Sequence, residues 1–332
     1  MNGGGRIVRG LGGIAISVVA LALVLRGVDL AETARVIGRA APGWLALMLV
    51  FQLSDVVLRA LRWKRLLAPV ASIPYGRTLD YMLVGYLANN VLPARLGELV
   101  RSHYLGDREG ISRTTTLGTV VVERVVDTTV LVLLASAAIL VLRVRGIVAS
   151  AVLVGLAVSG LLVVALALAL LAHRLPGGDR LVALVRRNPR IAELGRRLRG
   201  GLAVASEPRT LVAAVLLSLG AWAASVLAVA AAGQAVGVQL TTAQAALLGA
   251  GTALSTAIPS GPGYLGTYEL AAVSIGAVIG LSSETAFAIA LIGHATIIVV
   301  TSLGGSVAFL RIWRRASARG RSETAEPLRT AP

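Results

Sequence analysis

Three groups of charged residues stand inside stretches that are otherwise apolar. The first is Arg95-Leu-Gly97-Glu98-Leu-Val-Arg101, whose i,i+3 spacing on a helix sets alternating signs along one face. The second is Glu123-Arg124 with Asp127, which at 3.6 residues per turn fall within an arc of about 100°. The third is Glu269, with no basic residue nearby in sequence. Each unpaired charge at the centre of a bilayer costs about 2.5–3.5 kcal/mol, so these groups must pair or face water. Three arginines and three carboxylates can balance one another. An arginine that leaves its carboxylate, Arg124 together with Arg95 or Arg101, can then hold a lipid phosphate through two parallel hydrogen bonds. Salt bridges that only fix helix packing are the alternative reading of the same pattern. Glu269 needs a partner from another helix, from water or from a bound cation.

The elements that must position these groups are membrane spans. Of 332 residues, 56% are hydrophobic and 14% charged, with a mean hydropathy of +0.81, whereas soluble domains carry about a quarter charged residues. The formal charge of +16 would suggest nucleic acid as partner in a soluble protein. Here the basic residues cluster between apolar stretches and report orientation instead. A hydrocarbon core of about 30 Å needs roughly 20 apolar residues, which gives full spans near 10–26, 42–58, 114–142, 147–172, 210–232 and 284–310. Two more stretches, 78–100 and 243–280, are apolar but broken by Pro and Gly. Each reads as a helical hairpin that returns the chain to the side it came from. With both termini in the cytoplasm, most basic residues fall inside. Residues Thr128 to Leu142 beyond Asp127 rise only about 22 Å, so part of the second charged group belongs within the bilayer.

The expected fold is therefore an all-α polytopic membrane protein of about six full transmembrane helices plus two broken, re-entrant-type hairpins. A single membrane domain, 1–310, has a first half 10–172 and a second half 210–310 joined by a basic loop, 173–209, which is either a solvated helical loop or an interfacial amphipathic helix. A disordered tail, 311–332, follows. Trp44, Trp63 and Trp313 are expected at span edges, Trp222 as packing, and Asp55, Arg59 and Asp80 as interface anchors. His103 and His294 read as structural.

The broken stretches also resemble each other. Gly85, Asn89-Asn90, Pro93 and Gly97 match Gly251, Ser255-Thr256, Pro259 and Gly263 at identical spacing. Three full spans separate them, so the copies are inverted, a recurrent design of transporters whose discontinuous helices meet near the midplane. Pro93 and Pro259 prevent a straight helix, while Gly97, Gly261, Gly263 and Gly266 permit the elbows. Irregular backbone at that depth needs a cavity or covering protein.

The string Asn89-Asn90-x-x-Pro93-x-Arg95-x-Gly97-Glu98-x-x-Arg101, then Glu123-Arg124-x-x-Asp127, then Pro259-Ser260-Gly261-Pro-Gly263-Tyr264-x-Gly266-x-x-Glu269 resembles the lysylphosphatidylglycerol synthase transmembrane-region family. This is the flippase-like domain of the bacterial multiple peptide resistance factor, and the resemblance covers about residues 10 to 310. It implies a polytopic protein of the bacterial inner membrane. In two-domain members the membrane part moves aminoacylated phosphatidylglycerol from the inner to the outer leaflet. The sequence stops at Pro332 with no aminoacyl-transferase domain after the last span, so a stand-alone member is expected and synthase activity is not carried over.

The function expected is movement of a phospholipid or lipid-linked headgroup between leaflets, with a lipid-modifying enzyme or a structural partner of an envelope-lipid enzyme as alternatives. Candidate lipid-binding residues are Asn89, Asn90, Arg95, Glu98, Arg101, Glu123, Arg124, Asp127, Ser260, Tyr264 and Glu269. Partners are membrane lipids, aminoacylated or anionic, with a separate lipid-synthesising enzyme as a further candidate and no nucleic acid. No cofactor or metal is expected: the chain has no Cys and three scattered His. Its sole lysine, Lys64, is outside any phosphate-binding loop motif. Uphill movement would use an ion or proton gradient, with Glu98, Glu123, Asp127 and Glu269 as candidate proton carriers.

Overall fold

A computed structural model describes residues 3–92, 96–171 and 189–325, the side chains of 3–11, 189–192 and 318–325 excepted. Pro93 and Arg95, much of the basic loop and the last seven residues lie outside the described set. Twelve α-helices and two short 3-10 turns, and no strand, occur among the described residues. The helices are α1 (Gly3–Arg26), α2 (Leu30–Gly38), α3 (Pro42–Leu67), α4 (Tyr75–Val91), α5 (Gly97–Glu109), α6 (Arg113–Leu142), α7 (Ile147–Leu171), α8 (Pro189–Leu202), α9 (Pro208–Ala235), α10 (Thr242–Ser255), α11 (Thr267–Val278) and α12 (Ser283–Ala325).

Five of these, α3, α6, α7, α9 and α12, are long and apolar enough to cross a bilayer. A sixth span results if α1 and α2, bent by 85° at Gly27–Asp29, count as one. Local chemistry sets several boundaries. Pro42 and Pro208 open α3 and α9, where the missing N–H costs nothing. Asp29 caps α2 through the amides of Ala31 and Glu32 at 2.8 and 3.1 Å. Thr241 and Gln244 form a capping box on α10. The exterior exposes many apolar side chains, including Val18, Val50, Leu153, Leu161 and Leu216, as a surface facing lipid does. The helix α12 runs to Ala325, well into the stretch expected as a disordered tail. In the basic loop, α8 packs on α6, with Gly201 against Gly118, and the Thr115 hydroxyl donates to the Arg197 carbonyl at 3.1 Å.

The two broken stretches are α4 with α5 and α10 with α11. In each the two arms pack on one another, and the hairpin then packs across the molecule: α4 on α12, and α10 on α6. At the centre α3 and α9 lie against each other. Exchanging α3 with α9, α4 with α10, α5 with α11 and α6 with α12 maps this packing onto itself.

Among the described residues both elbows make close backbone contacts, although Val91, Leu92 and Leu96 beside the first and Ile258 and Leu265 in the second are exposed. In the first, Gly97 meets the Gly85 carbonyl so closely that a Cβ would collide with it, and its N–H donates to Asn89 Oδ1 at 2.7 Å. The second, Thr256 to Gly266, lies against α1. Gly261 N–H donates to Ser17 Oγ at 2.9 Å, and a Cβ on Gly266 (φ 88°) would strike the Ser17 carbonyl. Gly263 (φ 64°) and Tyr264 (φ 59°) both adopt the left-handed region, which is uncommon for tyrosine and marks a constrained turn.

Candidate functional site

The charged groups assemble on three helices. Glu123, Arg124 and Asp127 share one face of α6, as their spacing requires. From α3, Asp55, Arg59 and Arg62 face them, and from α5 comes Arg101. Glu123 and Asp127 are hubs. Arg62, fully buried, donates to Glu123 Oε1 at 2.9 Å, to Asp127 Oδ1 at 2.5 Å and to Ser218 Oγ at 2.7 Å. Arg59 donates to Asp55 at 2.8 Å and to Asp127 Oδ2 at 2.9 Å. Arg101 lies 2.9 Å from Glu123 Oε2 and stacks over Trp63 at 4.5 Å. Asp127 also accepts from Trp222 Nε1 at 3.0 Å, and Arg59 sits 4.6 Å above the same ring. Burying this many charges is tolerable only because each has opposite charge in contact.

Arg124 differs from the other three arginines. Its guanidinium reaches Glu123 Oε1 at 2.9 Å and stands 3.9 Å from Asp127 Oδ2, yet 38% of its side chain is exposed against 11% or less for the others; like Arg62 and Arg101, it also has a buried nitrogen, Nε, without a hydrogen-bond partner. It opens onto a cavity of about 390 Å³ between the two hairpins. Asn89, Asn90 and Tyr86 of α4 and Glu98 of α5 form one wall, and Thr252 of α10, Tyr264 and Tyr268 form the other. Asp55, Arg59 and Asp127 lie between them, with Trp222 and Ser225 of α9 and His294 of α12. Oε2 of Glu98 is buried with no hydrogen-bond partner, and so is Oε1 of Gln52, which also lines the cavity. The walls thus carry unmet acceptors and, at Arg124, an unmet donor.

Beyond Arg124, the second half has its own buried pair. Glu269 Oε1 lies 2.6 Å from His294 Nδ1, and its Oε2 accepts from Gly266 N–H at 2.6 Å. The ring of Tyr268 stacks on His294 at 4.2 Å. The partner expected from another helix is therefore His294, which the sequence reading took as merely structural.

Of the predicted site residues, Asn89, Asn90, Glu98, Arg124, Asp127 and Tyr264 line the cavity. Arg101, Glu123 and Glu269 sit behind it as partners of other charges. Ser260 is buried against Gly13 of α1, away from the cavity, and Arg95 lies outside the described residues. Asn89 closes the first elbow, and Asn90 ties it to α12 by donating to Thr301 Oγ1 and Ser302 Oγ at 2.8 and 3.0 Å.

Several expectations are corrected. Asp55 and Arg59 are parts of the buried network rather than interface anchors. Asp80 is 2% exposed, paired with Arg311 and Arg315 at 3.4 and 3.0 Å. Trp63 is fully buried and donates to Thr119 Oγ1 at 3.3 Å instead of lying at an interface. Arg62 escapes sequence reasoning because the span 42–58 ends just before Arg59. Asp55, Arg59 and Arg62 recur at i, i+4 and i+7, a one-face signal that would have found it.

The Lysylphosphatidylglycerol synthase TM region family matches residues 10–305, and the chain belongs to that family. Glycosyltransferase AglD of Haloferax volcanii is 28% identical over 135 residues, 40% of this chain; the match spans 22% of that relative's length. No solved structure matches the chain. Family and helices together make it a multi-pass membrane protein.

Proposed function

We propose that this member of the lysylphosphatidylglycerol synthase transmembrane-region family moves the headgroup of a membrane lipid between leaflets through the cavity where its two hairpins meet. The observation that carries the reading is Arg124: hydrogen-bonded to Glu123 and 3.9 Å from Asp127, it is the most exposed arginine of the network and opens onto the cavity. A phosphate diester satisfies it bidentately, while the acyl chains stay in lipid. Glu98 Oε2 and Gln52 Oε1 then accept from ammonium or hydroxyl groups further out on the headgroup. The matched packing of the two halves supports an inverted repeat, in which the hairpins open alternately to the two sides. The positive-inside distribution supports cytoplasmic termini in a bacterial inner membrane. A separate enzyme would supply the lipid.

In the competing reading the cavity modifies a lipid, and the likeness to a glycosyltransferase favours it. Of the three carboxylates that could serve as base there, Glu123 and Asp127 each hold more than one arginine, which leaves Glu98.

Vesicles of phosphatidylethanolamine and phosphatidylglycerol, carrying a trace of headgroup-labelled phosphatidylglycerol and the purified protein, test the proposal. Chemical quenching of outer-leaflet label should run to completion with protein and stop near half without it, and Arg124→Ala should remove most of the difference. Quenching that stops at half with folded protein present rejects translocation of this lipid, and a chemically altered lipid points to the enzyme.

A further inference from the structure

The buried network beside the first hairpin keeps one charge state. Its bases, Arg59, Arg62, Arg101 and Arg124, are guanidinium groups, which stay protonated at any pH a membrane protein meets. Asp55, Glu123 and Asp127 each contact at least one of them within 2.9 Å. The pair beside the second hairpin is built from other chemistry. His294 and Glu269 are both buried, 2.6 Å apart, with the imidazole stacked on Tyr268 and on the cavity wall. Imidazole is the side chain that ordinarily changes charge between pH 5 and 8.

The remaining charged or titratable groups lining the cavity are Asp55 and Arg59 on α3, Tyr86 on α4, Glu98 on α5, Arg124 and Asp127 on α6, and Tyr264 and Tyr268 on the second hairpin. The neighbouring helices α9 and α10 present Trp222, Ser225 and Thr252, and α1 meets the elbow with Ser17, none of which titrates.

We propose that Glu269 and His294 form a proton-binding site that couples the movement of lipid to a transmembrane proton gradient. The proposal rests on the lipid-translocation reading above. The proton is taken up at Nε2, the ring nitrogen Glu269 does not occupy, while Nδ1–H donates to Glu269 throughout. Without that proton the pair carries one negative charge; with it the pair is neutral. A lone buried negative charge requires water or a cation beside it, whereas a neutral ion pair can be closed over. The pair bridges α11, the second arm of its hairpin, to α12, so loading it permits closure and unloading it favours the state open to water. The carboxylates of the arginine network take no part, because each is held by a permanent cation.

The vesicles above, with a gradient of one pH unit and the membrane potential clamped at zero, provide the test. One proton per lipid drives about tenfold asymmetry of the labelled lipid per pH unit. His294→Gln should bring the asymmetry back to one. Glu269→Gln, read the same way, covers the case in which His294→Gln does not fold. Label that crosses but stays evenly distributed under the gradient overturns the coupling and leaves the lipid reading intact. Asymmetry retained in both variants overturns the site. If label does not cross with or without the gradient, the lipid reading fails and the coupling with it.

Discussion

Beside the first hairpin every base in the buried network is an arginine; beside the second, the base that meets Glu269 is a histidine. The two regions occupy matched places, since Arg101–Glu123 joins α5 to α6 and Glu269–His294 joins α11 to α12. In the first the basic residue is on the hairpin arm and the acidic one on the span; in the second the acidic residue is on the arm and the basic one on the span. The elbows differ too. Asn89 and Asn90 reach out to Gly97 and to α12, whereas Ser255 and Thr256, at the matched positions, bond back to the Thr252 and Ala253 carbonyls of their own helix at 2.7 and 2.6 Å. The first hairpin is thus tied to its neighbours by permanent charge and amide bridges, and among the described contacts of the second are the Glu269–His294 pair, the Gly261–Ser17 hydrogen bond and packing on α1.

Breaking the arginine network should produce the largest effect. Glu123→Ala leaves Arg62, fully buried, and Arg101 without their shared carboxylate, and breaking a buried pair this way costs about 3–5 kcal/mol. Thermal unfolding in detergent should show a steep fall or no folded protein. In the same assay Glu269→Gln should cost about 1–3 kcal/mol, because the amide oxygen still accepts from Gly266. Equal losses at the two sites would erase the distinction between the regions.

The elbows supply the next contrast. Gly97→Ala drives a methyl into the Gly85 carbonyl, with Asn89 Oδ1 at 2.6 Å, an overpacking that costs about 1–3 kcal/mol. Gly263→Ala makes only ordinary contacts, with an Ile298 methyl at 3.5 Å and the Asn90 carbonyl at 3.8 Å, so its cost is the strain of φ 64°, about 1–2 kcal/mol. Unfolding midpoints that rank Gly263→Ala well below Gly97→Ala would show the second elbow to be the more tightly built.

The smallest effect is expected at the surface end of the first hairpin. There the Arg113 guanidinium, bonded to Asp107 at 2.6 and 2.8 Å, holds that carboxyl below its ordinary range. A depressed carboxylate contributes stability above its unfolded value and loses it as pH falls through the folded one, so this contribution fades below about pH 4. Asp107→Asn should flatten the acid limb of the melting profile slightly and leave it unchanged near neutrality.

Much of this was legible in the sequence where one helix carries the whole signal. The periodicity of Glu123, Arg124 and Asp127 placed them on one face, and Pro and Gly marked both elbows. What needed the structure lies between elements. Arg62 falls beyond the apolar part of α3, so hydropathy assigned it to a loop although the helix continues to Leu67. His294, a single histidine in an apolar run, gives no local sign that Glu269, 25 residues away, turns toward it. Trp63 and Trp222 look like any aromatic near a span, and only tertiary packing sets them against Arg101 and Arg59.

The central claim is that a lipid headgroup enters the cavity between the hairpins, and a phospholipid with a photoreactive group on its headgroup tests it most directly. Illuminated with the protein in vesicles, it should label peptides of α4, α6 and the Tyr264 turn, and Arg124→Ala should reduce that labelling several-fold. Labelling confined to the outer apolar surface, such as the exposed face of α7, and unchanged by Arg124→Ala would contradict the account.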